Sequence, residues 1–140
     1  MKQILPYALW LGPGEGGDHF RQVFDAGVRA LVYVAGEDAP QMPPRELICC
    51  RFPLLDGTGN RPDLLFLAVS TVATLLKLHI PTMVCCGSGA SRSPAIAAAA
   101  LAMVHQQPPE ECLKRVVEHY PSDISPGFWS EVTGLLPAVR

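Results

Sequence analysis

At 140 residues and 49% hydrophobic side chains, the chain is long enough to bury a core and too apolar to be a disordered tail. A net charge of −2 with no dense run of Lys or Arg disfavours a nucleic-acid-binding surface and electrostatic docking on an anionic membrane. The apolar stretches are too short or too broken to span a bilayer.

Met1 to Leu5 carry one positive charge, but Pro6 interrupts the apolar start, so no signal peptide is expected. The final Pro137-Ala138-Val139-Arg140 is not a prenylation signal. Five cysteines, four of them in the adjacent pairs Cys49-Cys50 and Cys85-Cys86, suit a secreted disulfide framework badly. Reduced thiols in a cytoplasmic compartment are expected instead.

Tyr7 to Leu11 reads as a strand running into Gly12-Pro13-Gly14. Asp18 to Ala26 has helical character, with Gly27 as its stop. Arg29 to Val34 reads as a buried strand, Asp38 to Pro44 as a proline-rich loop, and Leu47 to Leu54 as a further strand. The loop Asp56-Gly57-Thr58-Gly59 follows. Asn60 is predicted to cap the next helix, with Pro62 in its first turn and Asp63 at the third helical position, where carboxylates are favoured. That helix runs to about His79. Pro81 to Cys85 is a short strand, and the nearly all-Ala, Ile and Leu segment Ala95 to Met103 a helix built to pack closely. Pro108 and Pro126 each open a further helix. Strands alternating with helices from residue 7 to 105 predict one α/β domain over residues 1–140, with a central, largely parallel sheet flanked by helices.

The segment Cys86-Gly87-Ser88-Gly89-Ala90-Ser91-Arg92-Ser93 stands where a short strand hands over to a helix. A nucleophilic sulfur must be a thiolate, which a helix N-terminus and a guanidinium both favour. The small residues Gly87, Ser88, Gly89, Ala90 and Ser91 allow the backbone to curl with its N–H groups turned onto a phosphate. Arg92 can close that cradle with a planar two-pronged donor. Ser93 puts a hydroxyl near the sulfur, and Pro94 sits in the first helical turn, where its missing N–H costs nothing. Five cysteines and eight arginines produce a bare Cys-x5-Arg pair by chance about 0.3 times in such a chain. Requiring the Gly at the fourth position and the Ser after the Arg lowers that to about one in a thousand, so the segment is read as a phosphate loop rather than a buried structural cysteine.

Val84 to Ser93 resembles the signature of the protein-tyrosine phosphatase superfamily, and the Gly-x-Ser-Arg-Ser ending resembles its dual-specificity branch. Tyr7 to Gly12, Val28 to Ala35 and Ser125-Pro126-Gly127-Phe128 resemble that family's first strand, a later strand and the start of its last helix. The resemblance implies a dual-specificity-phosphatase-like fold, no metal or other cofactor, and a cysteinyl-phosphate intermediate on Cys86. It also requires a general acid on a loop roughly thirty residues upstream. Asp56 lies there, 86 − 56 = 30 residues before Cys86, with two glycines after it that would let the loop swing. Asp63 is the second candidate.

Two positions depart from the family pattern. Cys85 stands where the family has a His before its nucleophile, and Gly127 where it has an Asn that supports the loop. Cys85 reads as a buried strand residue, as a resolving thiol for Cys86, or as part of a zinc site with the other pair. The histidines at 19, 79, 105 and 119 are expected at the surface. The expected activity is hydrolysis of phosphate monoesters, on phosphotyrosine and phosphoserine or phosphothreonine in proteins. The partners are then phosphorylated proteins or small phosphate esters. A phosphate-binding module with weak or no turnover is the alternative, and a thiol-redox protein the third reading.

Overall fold

A computed structural model describes residues 1–14, 19–36, 42–87 and 91–136. The elements in chain order are β1 (Lys2–Gln3), β2 (Leu9–Pro13), α1 (His19–Asp25), β3 (Ala30–Ala35), β4 (Ile48–Leu54), α2 (Pro62–Lys77), β5 (Thr82–Cys86), α3 (Arg92–His105), α4 (Pro109–His119) and α5 (Pro126–Gly134). The strands form one sheet in the order β1-β2-β5-β3-β4. Among the described residues only the short β1–β2 pair is antiparallel; β2, β5, β3 and β4 run parallel. The α/β architecture with a central, largely parallel sheet is the one expected. The two-residue β1 carries no periodic signal and was not.

Central β5 is buried at every residue, as a parallel strand covered on both faces must be. Side chains alternate across the sheet and feed two cores. Leu9, Leu11, Val32, Val84 and Cys86 face a large core shared with α2, α3, α4 and α5. Leu31, Met83 and Cys85 face a smaller one with Val23 and Phe20 of α1 and with Trp10 and Tyr33. Cys85 and Cys86 therefore point to opposite faces.

Every residue of α3 from Arg92 to Ala102 is buried, and its alanines let α2 and α4 lie close on either side. The amphipathic α4 buries only Cys112 and Val116. The fully buried Phe128 and Val132 dock α5 onto the same core. No helix among the described residues is long and apolar enough to cross a membrane.

The details correct two expectations. Helix α2 starts at Pro62 after Arg61 and takes no side-chain cap, so Asn60 does not cap it. Asp63 does lie in its first turn, accepting from the Leu64 N–H and paired with Arg61, which holds its carboxyl below the usual carboxylate range. His19 is buried, 5% exposed, rather than at the surface.

Candidate active site

Parallel strands end on one edge of a sheet, and ligands of α/β folds gather beyond their carboxyl ends. Here β5 ends at Cys86, directly beside Pro13 at the end of β2, while β4 ends at Leu54. Cys86 is 1% exposed and Ser93 fully buried, with Sγ and Oγ 3.1 Å apart, within hydrogen-bonding distance. Arg92 is the first residue of α3, so the residue before Ser93 brings a guanidinium to the strand–helix junction. Its Nη1 donates to the Leu54 carbonyl at 2.9 Å, which ties it to the segment leading into Asp56. Pro94 falls in the first turn, as expected. Gly87 is half-buried after β5; Ser88, Gly89 and Ala90 lie outside the described residues.

Asp56 is exposed, yet the fold brings it to this loop. The buried Ser91 hydroxyl donates to Asp56 Oδ1 at 2.7 Å and accepts the Ser125 backbone N–H at 2.9 Å. Ser91 precedes α3 but makes no side-chain cap; its hydroxyl instead joins three segments that are 34 and 35 residues apart.

The Asp56 loop is built tightly. Gly57 and Gly59 have φ of +153° and +95°, values that side chains other than glycine rarely adopt. Asn60 closes the loop on itself: Oδ1 accepts the Leu55 N–H at 2.8 Å, and Nδ2 donates to the carbonyls of Leu55 at 3.0 Å and Gly57 at 3.2 Å. Asn60 thus serves as a loop clasp, a use of Asn that competes with helix capping.

Behind the sheet, Tyr33 lies beside Cys85 on the neighbouring strand, and His19 Nε2 is 3.1 Å from the Tyr33 hydroxyl. Burial lowers the pKa of His19 and so favours its neutral ring. On the front, Tyr120 at the end of α4 has its pKa raised, mainly by burial and further by the Cys86 and Cys85 thiols. Among the described residues no group of three or more His, Cys, Asp or Glu is placed to hold a metal ion.

No protein-family model matches the sequence, and no curated protein matches it. Solved structures do. Human DUSP28 superposes over 96% of this chain and 94% of its own with a TM-score of 0.82 at 22% identity. A mouse putative dual-specificity phosphatase, complexed with zinc tungstate, superposes over 96% and 84% with a TM-score of 0.80 at 21% identity. The human tyrosine phosphatase-like serine/threonine/tyrosine-interacting protein superposes over 96% and 93% with a TM-score of 0.77 at 18% identity. The fold is that of the dual-specificity phosphatases.

Against that fold the two departures gain a structural account. Cys85, in place of the His, belongs to the α1-side core with Tyr33 and is fully buried, so bridging it to Cys86 would require turning one side chain through the sheet. Gly127 takes from the phosphate loop the Asn that the family pattern offers it. What Gly127 meets is a different loop: a Cβ there would come within 2.8 Å of Thr58 Cγ2, so the glycine lets α5 pack closely on the Asp56 loop. Glu131, one turn further along α5, accepts the Gly59 N–H at 2.8 Å and the Asn60 N–H at 3.3 Å. Sequence reasoning missed Glu131, Ser91 as a bridge, and the His19–Tyr33 pair. Each works through partners far away in the chain, which no local spacing announces.

Proposed function

We propose that the chain is a cysteine-dependent phosphatase acting on phosphate monoesters without a metal. The observation that carries this reading is the convergence of Cys86 with Ser93, of Arg92 and of Asp56 at the ends of β4 and β5. The mouse neighbour is complexed with zinc tungstate, whose tungstate is an oxyanion of phosphate-like shape that suits a phosphate-binding loop.

In the first step the Cys86 thiolate attacks phosphorus in line, the S–P bond forms, and the P–O bond to the leaving group breaks. Asp56, protonated at the start, gives its proton to the departing oxygen. The bond from Ser91 occupies Oδ1, which leaves Oδ2 to carry that proton. In the second step Asp56, now a carboxylate, takes a proton from water as its oxygen attacks the phosphocysteine. Inorganic phosphate leaves, and the sulfur departs as thiolate with Ser93 within reach to donate to it. Arg92 and the N–H groups of residues 87–92 balance the charge on the equatorial oxygens throughout.

The substrate class we infer is broad. The residues from Gly87 to Ser91 carry no Lys or Arg, whereas a site for multiply phosphorylated inositol head groups would need added positive charge. A short chain with few extra loops suits a shallow cleft open to phosphoserine and phosphothreonine as well as phosphotyrosine. The reaction is expected in cytoplasm-like, reducing conditions, where the cysteines stay unbridged.

A second reading keeps the loop as a phosphate reader with little turnover, favoured by Cys85 standing where the family has a His. Hydrolysis of an aryl phosphate in the presence of a chelator separates the two. The phosphatase reading expects turnover that vanadate inhibits and Cys86→Ser abolishes. Binding of vanadate without turnover would establish the reader instead.

A further inference from the structure

The Asp56 loop is held by α5 at two points on one helical face, since residues 127 and 131 are four apart. At Gly127 a Cβ would come within 2.8 Å of Thr58 Cγ2, so the helix packs closely on the loop there. At Glu131 both carboxylate oxygens are engaged: Oε2 accepts the Gly59 N–H at 2.8 Å, and Oε1 accepts the Asn60 N–H at 3.3 Å and faces Asn60 Nδ2 at 3.4 Å. Asn60 in turn grips Leu55, the residue before Asp56, at both its N–H and its carbonyl. The chain of contacts runs from Glu131 through Asn60 to the backbone beside the proposed acid.

We infer that Glu131 is a positioning residue for the general acid, setting where Asp56 stands relative to the leaving group through the Asn60 clasp. This rests on the phosphatase reading and extends it to a residue with no contact to Asp56 itself. Glu131 is not a second acid. The Gly59 N–H, with help from Asn60, holds its carboxyl below the usual carboxylate range, so it stays ionised while the reaction needs a proton donor. Its carboxylate is suited to this work because each of its two oxygens accepts from one of two successive backbone N–H groups, whereas an amide side chain would turn an NH2 donor toward one of them.

The test measures kcat across phosphate esters from activated aryl to alkyl leaving groups, for the wild type, Glu131→Ala, Glu131→Gln, Asp56→Asn and Glu131→Ala/Asp56→Asn. A displaced acid costs about 10²-fold in kcat for alkyl esters, the usual penalty of a misplacement near 1 Å. It costs only a few-fold for activated aryl esters, which need the proton least. Glu131→Gln keeps one acceptor and should fall between the wild type and Glu131→Ala. In the Asp56→Asn background the Glu131→Ala change should cost nothing more, since residues acting as one unit are not additive. The rate of Cys86 alkylation and the affinity for vanadate should match the wild type. The amides of Gly59 and Asn60 should exchange faster with solvent in both Glu131 variants.

Equal losses on all leaving groups, or a full additional loss in the Asp56→Asn background, would make Glu131 merely structural and overturn the inference while leaving the phosphatase reading intact. Wild-type protein without Cys86-dependent turnover would overturn both. If Glu131→Ala does not fold, Glu131→Gln against Asp56→Asn decides by the same criteria.

Discussion

Replacing Ser91 by Ala should separate two roles that one hydroxyl combines. Ser91 is 3% exposed, so the Ser125 N–H that it accepts would be left in a partly buried place with no acceptor. A lost partner of that kind costs about 1–3 kcal/mol, or roughly 3–9 °C in Tm for a chain of this length. The same change frees Asp56 Oδ1, so the carboxyl no longer presents a defined oxygen for the proton. Because Asp56 itself is exposed, that bond contributes orientation more than stability. The kinetic cost should reach about 10²-fold in kcat for alkyl phosphates, and much less for activated aryl phosphates. Thermal melting and leaving-group series on the purified variant give the two readouts. An unchanged Tm together with an unchanged leaving-group dependence would show that Ser91 bridges nothing in solution.

Asp56→Asn should lower kcat by about 10²–10⁴-fold, most for poor leaving groups, and equal losses on all substrates would deny it the acid role. Gly127→Ala puts a methyl against Thr58 Cγ2 at 2.8 Å, so kcat on alkyl phosphates should fall and Thr58→Ser should restore it by removing the opposing methyl. A loss that Thr58→Ser leaves untouched would place the effect elsewhere. Cys85→Ser should recover from peroxide treatment with reductant as well as the wild type does, because Cys85 faces away from Cys86. Irreversible inactivation of that variant alone would restore the resolving-thiol reading.

The parts of the fold legible in the sequence are those written in local pattern. The apolar runs of β3 and β5, the alanines of α3 and the prolines opening α4 and α5 mark elements whose burial follows from composition. The strand–helix junction that brings Cys86 to the end of β5 and Arg92 to the start of α3 was legible because a buried-strand run and an Ala-rich helical run meet there. Illegible features depend on what the fold brings together. Asn60 offers the same side chain to a helix N-terminus or to a loop, and the choice went to Leu55, Gly57 and Glu131. Gly127 reads as a missing side chain until Thr58 is seen against it. His19 reads as a surface residue until α1 is laid on the sheet beside Tyr33. Apart from Gly57, three residues from Asn60, the partners that decide lie at least five residues away, and for Glu131 more than seventy.

The central claim is that phosphate passes through the sulfur of Cys86. It is tested most directly by acid-quenching the protein during turnover of an aryl phosphate and locating the phosphoryl group by peptide mass spectrometry. Asp56→Asn, slowed in both steps, offers a second protein in which to find it. The expected result is a phosphate on the peptide containing Cys86, absent from Cys86→Ser, which also fails to turn over. A phosphate carried on another residue, or turnover that survives Cys86→Ser, would contradict it.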